Sequence, residues 1–318
     1  MEKITIITST VPGPFKKVLL AAKPFLKLLG FKFRGRPKYG GHRCVTTSLI
    51  VGLEKLGVNF NYDPQSLSDL GETVVVLCGV KQLRQMIELK KKGVIKKLLA
   101  GPNIAVQPTD YDRILTSPEI DVCITPSEWV NNAYVIDCPE LKGRIKAWPA
   151  GVDSEHWKPS GNKKDPKNLL FYDKRPEKNL IDNCRKYCEE KGYHVKTIVY
   201  GYYSLEEFKQ ALDKSSFLIH FVEQESQGTF LNETWSMNVP TIVWNPGFYR
   251  IGEKNYICSS APYLTKQTGA FFRNFEEFKK IEQSGAFEPQ RYSARQWILE
   301  NLTDELSAQK LLDIIKNL

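Results

Sequence analysis

Short apolar runs alternate with longer segments of helical period along almost the whole chain. The runs cover residues 4–9, 74–77, 104–107 and 122–125 in the first half, and 168–172, 195–200, 217–222 and 241–244 in the second. Runs rich in valine and isoleucine, without polar alternation, are typical of parallel sheets that helices cover on both faces. Two such series in tandem predict two doubly wound α/β domains.

Helical period marks the segments between the strands. These segments are 44–56, 81–91, 128–135, 180–191, 205–215, 230–237, 275–283 and 294–316. A chain of 318 residues is too long for one typical core and suits two domains of about 150 residues. We therefore expect an N-terminal domain over 1–150 and a second over 151–293, followed by a terminal helix within 294–318. The polar stretch 158–167 has the composition of a linker or loop.

The net charge of +9 is concentrated near the start of the chain. Lysines and arginines are interleaved with apolar residues at 16–38, and a second basic cluster lies at 90–97. A basic amphipathic segment is typical of contact with an anionic membrane surface, although an ordinary helix with its lysines in water shows the same pattern. No nucleic-acid recognition motif is present, so no nucleic-acid partner is expected.

The seven cysteines are scattered and include no CxxC pair, which favours a reducing compartment. Cys184 and Cys188 share a helical face, but no histidine lies near them in sequence, and no metal site is predicted. Three lysines interrupt the apolar stretch 18–33, which is therefore neither a signal peptide nor a membrane span. We expect a cytoplasmic protein, with a peripheral position on the inner face of the membrane as a hypothesis.

A buried strand, a polar loop and a helix follow one another over residues 217–233. Ligands of open α/β sheets bind beyond the carboxyl ends of the strands, where this loop must lie. Gly228 lets the backbone approach a ligand, and the N–H groups that open the helix favour a diphosphate. Carboxylates such as Glu225 and Glu233 accept hydrogen bonds from sugar hydroxyls. The segment predicts a nucleotide-sugar site, although two solvated acids are the commoner interpretation of such a pair.

Glu225-x7-Glu233 and the following TWSMNVPTIV resemble the E-x7-E signature of the large retaining GT-B glycosyltransferase family that includes sucrose and glycogen synthase relatives. GGHR at 40–43, PSEWV at 126–130 and AGVDSEHWKP at 150–159 resemble further segments of that family, in the same order. The resemblance spans the chain from about residue 38 to the terminal helix. It implies an α/β fold of GT-B type, with two doubly wound (Rossmann-like) domains facing a central cleft and the terminal helix crossing back to the N-terminal domain.

The same resemblance implies residue roles. In that family the first glutamate contacts the donor sugar and the second holds the ribose, roles that fall on Glu225 and Glu233. The lysine that neutralises the departing diphosphate matches Lys178, and the accompanying arginine corresponds to Lys174 or Arg175. The other donor-side residues are Tyr200, Gly201, Tyr202, Gln227, Gly228 and Thr229, with Tyr203 as a second choice for the aromatic wall against the base. The acceptor-side residues are Gly40, Gly41, His42 and Asp110.

The activity implied by the resemblance is transfer of a sugar from a nucleoside diphosphate sugar to a glycan or lipid-linked acceptor, with retention of configuration and with no metal or other cofactor. A different interpretation takes Asp110 and Asp112 as a DxD pair that binds a divalent metal. A non-catalytic nucleotide-binding or sugar-binding module on a degenerate scaffold is the main alternative, and phosphorylase-like or epimerase activity a weaker one.

His220, inside an apolar strand, is expected to be a core histidine with its hydrogen bonds satisfied.

Overall fold

The computed structural model describes residues 3–9, 41–174 and 178–318, and for Gly41 and His42 only the backbone. The chain divides into two compact units. The first comprises Met1–Thr125, Tyr134–Trp148 and Ala308–Leu318, within the described ranges, and the second comprises Pro126–Ala133 and Pro149–Ser307. Gly40, Arg175 and the basic segment 16–38 lie outside the described residues, as does the side chain of His42.

The first unit contains a sheet of six parallel strands in the order β2-β1-β3-β4-β5-β6. The strands are β1 (Ile4–Ile7), β2 (Phe60–Tyr62), β3 (Thr73–Cys78), β4 (Lys97–Asn103), β5 (Val122–Thr125) and β6 (Ile145–Ala147). The helices between these strands in the chain are α1 (Gly41–Lys55), α2 (Val80–Lys91), a single short turn at Asp110–Arg113, and α3 (Glu128–Asp137), whose first part up to Ala133 belongs to the second unit. The four apolar residues at the centre of β3 are completely buried, which explains why the run lacks polar alternation.

The strand predicted at 104–107 was wrong. The strand in this region is β4, which ends at Asn103, and Val106 beyond it is 85% exposed. Leu98, Leu99 and Ala100 are the buried part of β4. This run was overlooked because lysines precede it and Gly101-Pro102 follows it, so its apolar core is only three residues long.

The second unit contains a five-stranded parallel sheet in the order β13-β10-β9-β7-β8 and a separate antiparallel hairpin of β11 and β12. The strands are β7 (Asn168–Asp173), β8 (His194–Val199), β9 (Phe217–Phe221), β10 (Thr241–Trp244), β11 (Phe248–Ile251), β12 (Lys254–Ile257) and β13 (Gly269–Phe272). The helices are α4 (Lys178–Glu190), α5 (Leu205–Lys214), α6 (Thr229–Ser236), α7 (Phe275–Gln283), α8 (Ala294–Asn301) and α9 (Asp304–Lys316).

Helices cover both faces of the second sheet because successive residues of its strands point to opposite sides. One core contains Leu170 and Leu218 of the sheet together with Trp235 of α6. The other contains Phe171 and Ile219, packed with residues of α4 and α7. This two-sided burial is the physical basis of the doubly wound architecture that the sequence predicted.

The terminal helix predicted over 294–316 is two helices, with a break at Leu302 and Thr303. Val152 pairs with the backbone at the break: its N–H donates a hydrogen bond to the carbonyl of Leu302 at 3.1 Å, and it forms an isolated β-bridge with Thr303. A Cβ on Gly151 would lie 2.4 Å from the carbonyl oxygen of Thr303, so only glycine allows this approach. A local signal also marks the break, because Oγ1 of Thr303 accepts a hydrogen bond from the N–H of Leu306 at 3.3 Å and two acids open the second helix.

Helix α9 begins in the second unit and ends in the first, since Ala308–Leu318 belongs to the first. Within the first unit, Nζ of Lys97 donates to the carbonyl of Ile315 at 3.2 Å. Across the described ranges, no helix combines the length and the apolar character that a membrane span requires.

Candidate functional site

The strand order of the second sheet fixes where a ligand can bind. The chain passes from β7 to β8 on one side and then returns to place β9, β10 and β13 on the other. The switch point is therefore between β7 and β9, and ligands of open α/β sheets bind beyond the carboxyl ends of the strands at this position. Lys174 follows β7 and Glu225 follows β9, so both lie at the switch point.

Lys174 and Glu225 form an ion pair there. Nζ of Lys174 lies 2.5 Å from Oε1 of Glu225, and the two side chains are only 20% and 11% exposed. Burial raises the pKa of Glu225, and the ammonium group of Lys174 opposes that rise. The site thus holds one cation and one carboxylate in a partly desolvated place, where charges interact more strongly than in water.

His220 completes this group from within β9. Its side chain is fully buried, with Nε2 3.8 Å from Oε1 of Glu225, which is beyond hydrogen-bond distance. Neither ring nitrogen has a partner at normal hydrogen-bond distance and angle among the described residues. The backbone of Tyr172 lies near enough to favour the protonated ring slightly, against the larger effects of burial and of Lys174. Burial lowers the pKa of His220 well below its usual range, and the positive charge of Lys174 adds to that effect. The prediction of a core histidine is confirmed by this burial, but the prediction of satisfied hydrogen bonds is wrong, because the nearest carboxylate oxygen lies 3.8 Å away.

Side chains distant in sequence hold the loop that carries Glu225. The indole Nε1 of Trp129 donates to the carbonyl of Glu225 at 2.9 Å, and Oγ of Ser127 donates to that of Ser226 at 2.6 Å. The backbone N–H of Glu225 donates to the carbonyl of Ser259 at 2.9 Å. The PSEWV stretch noted in the sequence therefore supports this loop, a role that its local pattern did not reveal.

Gly228 and Gln227 shape the turn into α6. Gly228 has φ 76° and ψ 62°, and no side chain caps the N–H groups that open the helix. The amide of Gln227 is fully used on Ala150: Oε1 accepts from its N–H at 3.0 Å and Nε2 donates to its carbonyl at 2.6 Å. Gln227 thus fixes the loop, while Gly228 and half-buried Thr229 leave their backbone N–H groups at an uncapped helix start, which favours an anion.

Replacing Gly228 with alanine is expected to destabilise the protein by about 1–2 kcal/mol, because its backbone is left-handed and a Cβ would meet Leu231 Cδ1 at 2.9 Å. Gly57→Ala is the matched control, since its φ is also positive but a Cβ there meets no atom within 4 Å. Urea denaturation measures both variants. A smaller loss at Gly228 than at Gly57 would contradict a shape requirement at this turn.

Glu233 lies on α6 and is half-buried. Desolvation raises its pKa to about 8. Both Glu233 and Glu225 lie close enough to the Tyr172 and Tyr203 hydroxyls to raise the pKa values of these tyrosines further, beyond the rise that burial causes. The two glutamates of the E-x7-E pair therefore flank one pair of tyrosines.

The turn after β8 places its tyrosines differently. Tyr200 is 55% exposed, and Nζ of Lys174 lies 4.5 Å from its ring centroid. Tyr202, beyond Gly201, is more exposed still. Tyr203 instead packs inward, because its hydroxyl is 2.6 Å from that of Tyr172. Of the three tyrosines, Tyr200 has the position to cover a ligand held by Lys174.

Lys178 is the first residue of α4 and its side chain is exposed. The described residues therefore bring Lys174, rather than Lys178, to Glu225. The sequence matched Lys178 with the family lysine and left open only whether Lys174 or Arg175 takes the place of the arginine.

The acceptor-side candidates of the first unit are less defined. Gly41 is the first residue of α1. The carboxylate of Asp110 accepts hydrogen bonds from the backbone N–H groups of Val106 at 3.2 Å and Gln107 at 2.9 Å. Asp112 points to Arg84 at 3.4 Å. Within residues 3–9, 41–174 and 178–318, no group of three or more histidine, cysteine, aspartate or glutamate side chains could hold a metal ion. Asp110 and Asp112 thus contact different partners within the first unit.

The basic cluster at 90–97 is largely engaged with partners. Its contacts are Lys90 with Asp121, Lys91 with Glu88, Lys96 with Glu72, and Lys97 with the carbonyl of Ile315. Partnered lysines present less net charge to an anionic surface than the sequence pattern indicates.

Comparisons with known proteins identify the architecture. No protein-family profile matches the chain, and no curated protein sequence matches it. Among solved structures, the apo form of the lipopolysaccharide outer core galactosyltransferase WaaB has a TM-score of 0.59 at 12% identity, covering 99% of this chain and 100% of that one.

Two further structures agree. A glycosyltransferase from Rickettsia africae ESF-5 has a TM-score of 0.56 at 12% identity, covering 99% of this chain and 97% of that one. Anabaena Alr3699/HepE, in complex with UDP and glucose, has a TM-score of 0.55 at 11% identity and full coverage of both chains. The chain therefore has an α/β fold of GT-B type, with two Rossmann-like units, as the sequence predicted.

Proposed function

We propose that this protein is a glycosyltransferase that takes a sugar from a nucleoside diphosphate sugar bound to its second unit. The observation that carries the proposal is the cluster at the β7/β9 switch point. Partly buried Lys174 is paired there with Glu225, beside an uncapped helix start and the desolvated carboxyl of Glu233. A ligand with a diphosphate between two sugar rings suits this cluster, because the cation and the helix start can bind the diphosphate and the two carboxyl groups can bind the sugars.

Each part of the donor has a partner in this arrangement. Lys174 neutralises the diphosphate, together with the N–H groups of Gly228 and Thr229, and stabilises it as it leaves. Lys178 and Arg175 supply further positive charge. Glu233 accepts a hydrogen bond from a ribose hydroxyl, and Glu225 accepts one from a hydroxyl of the transferred sugar. The ring of Tyr200 packs against the nucleotide. Its exposure to solvent and its closeness to Lys174 support this role.

The resemblance and the solved structures support the same chemistry. WaaB is a galactosyltransferase, and Alr3699/HepE was solved with UDP and glucose. We further propose a glycan or lipid-linked acceptor held by the first unit through Gly40, Gly41, His42 and Asp110. Transfer proceeds with retention and without a metal, because lysine supplies the cation that the leaving diphosphate requires. A cytoplasmic site facing an anionic membrane is part of this proposal, through the segment 16–38.

Thermal denaturation with UDP, GDP, ADP and their sugars tests donor binding. We expect one nucleoside diphosphate and its sugars to stabilise the protein, by about 2.7 kcal/mol at a hundredfold excess over Kd. Chromatography should then show slow hydrolysis of the matching nucleotide-sugar, which Glu225→Ala removes. No stabilisation by any nucleotide at millimolar concentration would contradict the proposal.

Binding without turnover across a panel of acceptors would instead favour a non-catalytic nucleotide-binding module. The displaced position of the family arginine is the observation behind this alternative. Vesicle flotation tests the membrane contact separately. We expect binding to vesicles with anionic lipid only, and equal binding to neutral vesicles would contradict an electrostatic contact.

A further inference from the structure

His220 is a fully buried imidazole whose two nitrogens make no hydrogen bond among the described residues. Leaving buried polar atoms unpaired is costly, so such a group at a ligand site calls for an explanation. The ring packs against Phe230, with centroids 4.7 Å apart, and against Tyr172 at 5.6 Å. A phenylalanine would fill this apolar space without unpaired nitrogens, and therefore packing alone does not explain the histidine.

The position of Glu225 supplies an explanation. Its Oε1 lies 2.5 Å from Nζ of Lys174 and 3.8 Å from Nε2 of His220. A shift of about 1 Å by the carboxylate would bring Nε2 within hydrogen-bond distance. Oε1 of Glu225 thus contacts Lys174 directly and lies slightly beyond hydrogen-bond distance from His220.

Binding of a diphosphate creates a need for that second partner. If Lys174 turns toward phosphate, Glu225 is left as a buried carboxylate without its cation, which strongly opposes the movement. We propose that His220 is a positioning residue. When Lys174 moves to a phosphate of the ligand, Nε2 of His220 donates a hydrogen bond to the carboxylate of Glu225 in place of Lys174. The inference rests on the proposed function for the role of Lys174, but the Glu225–His220 contact itself requires no ligand.

The surroundings of His220 favour this exchange. The titratable groups around its ring are Tyr172 on β7, Lys174 after β7, and Glu225. While Lys174 is near, its charge opposes a proton on the imidazole. Once Lys174 has moved away, that opposition falls and the neighbouring carboxylate favours the N–H form at Nε2. A hydrogen bond to Nε2 then fixes the orientation in which Glu225 meets a sugar hydroxyl.

The first test needs no nucleotide. The chain has four histidines, so 15N-labelled imidazoles can be assigned by comparison with His220→Phe. In Lys174→Met without ligand, we expect the Nε2 resonance of His220 to shift to that of a hydrogen-bonded N–H. The shift should be absent in Lys174→Met/Glu225→Gln. An unchanged His220 resonance in Lys174→Met would overturn the inference.

The second test measures coupling between the two side chains. His220→Phe should weaken binding of the best nucleoside diphosphate about tenfold, because releasing Lys174 becomes harder, and His220→Gln should restore most of the affinity. In a Glu225→Gln background, His220→Phe should have no further effect on nucleotide affinity, since residue 225 then carries no negative charge that needs a hydrogen bond from His220. Equal losses in both backgrounds would indicate a merely structural role and overturn the inference.

The two tests separate this inference from the proposed function. If no nucleotide binds the wild-type protein but the resonance of His220 shifts in Lys174→Met, the proposed function fails and the contact stands. If nucleotides bind but neither the shift nor the coupling is seen, the function stands and the role of His220 is overturned.

Discussion

Lys174→Met is expected to lower the free energy of unfolding by about 2–3 kcal/mol near pH 8 and to weaken binding of a nucleoside diphosphate about 100-fold. Both effects follow from one observation, the ion pair in which Nζ of Lys174 lies 2.5 Å from a buried carboxylate. The stability loss arises because Glu225 remains without its cation. The affinity loss arises because the diphosphate loses the buried cation at the switch point.

The dependence on pH distinguishes these causes. Burial raises the pKa of Glu225, and Lys174 counteracts that rise, so the variant raises the folded-state pKa further. A protonated carboxyl needs no cation. The stability loss should therefore shrink toward pH 5 and grow as the pH rises above neutral. Urea denaturation at pH 5, 7 and 9 gives the profile.

Two controls complete the measurement. Lys174→Met/Glu225→Gln should recover the stability but not the nucleotide affinity, since it removes the unpaired charge without restoring a cation. Lys158→Met, which breaks a surface pair with Glu155 at 3.1 Å, should stay close to wild type. A full recovery of affinity in the double variant would show that Lys174 does not act on the ligand.

Glu233→Gln is expected to stabilise the ligand-free protein by about 2–3 kcal/mol at pH 9 and to leave it unchanged at pH 5. The pKa of Glu233 is raised to about 8 by desolvation, above its value in the unfolded chain. Between about pH 4.5 and pH 8 the folded state therefore holds a proton that the unfolded state has released. The folded protein loses stability as pH rises through this window, and an amide avoids that loss.

The expected gain is smaller than the full pKa difference implies, because solvent still reaches the side chain. Glu253→Gln, an exposed acid in the turn between β11 and β12, is the control and should show no comparable gain at pH 9. Denaturation curves from pH 5 to pH 9 check both variants. An equal stability of wild type and Glu233→Gln at pH 9 would show that the carboxyl is not desolvated.

The strand, turn and helix that surround the candidate site were predicted from local pattern, and the structure confirms these elements. The run 217–222 forms β9, and α6 follows a turn at Gly228, because an apolar run, a polar loop and a helical period each act over a few residues. The strand missed at Lys97–Asn103 and the break after Asn301 show where local pattern fails. The apolar core of the strand is only three residues long, and the break combines the local cap of Thr303 with backbone pairing to Val152.

By itself, the sequence determined two α/β units and a polar loop between β9 and α6, since strand and helix periods are properties of neighbouring residues. Only the tertiary structure decided that Lys174 is the cation beside Glu225, that His220 lacks a partner, and that Trp129 holds the loop. These contacts join residues from five to almost a hundred positions apart. They depend on sheet order and on the direction of buried side chains, which periodicity along the chain does not specify.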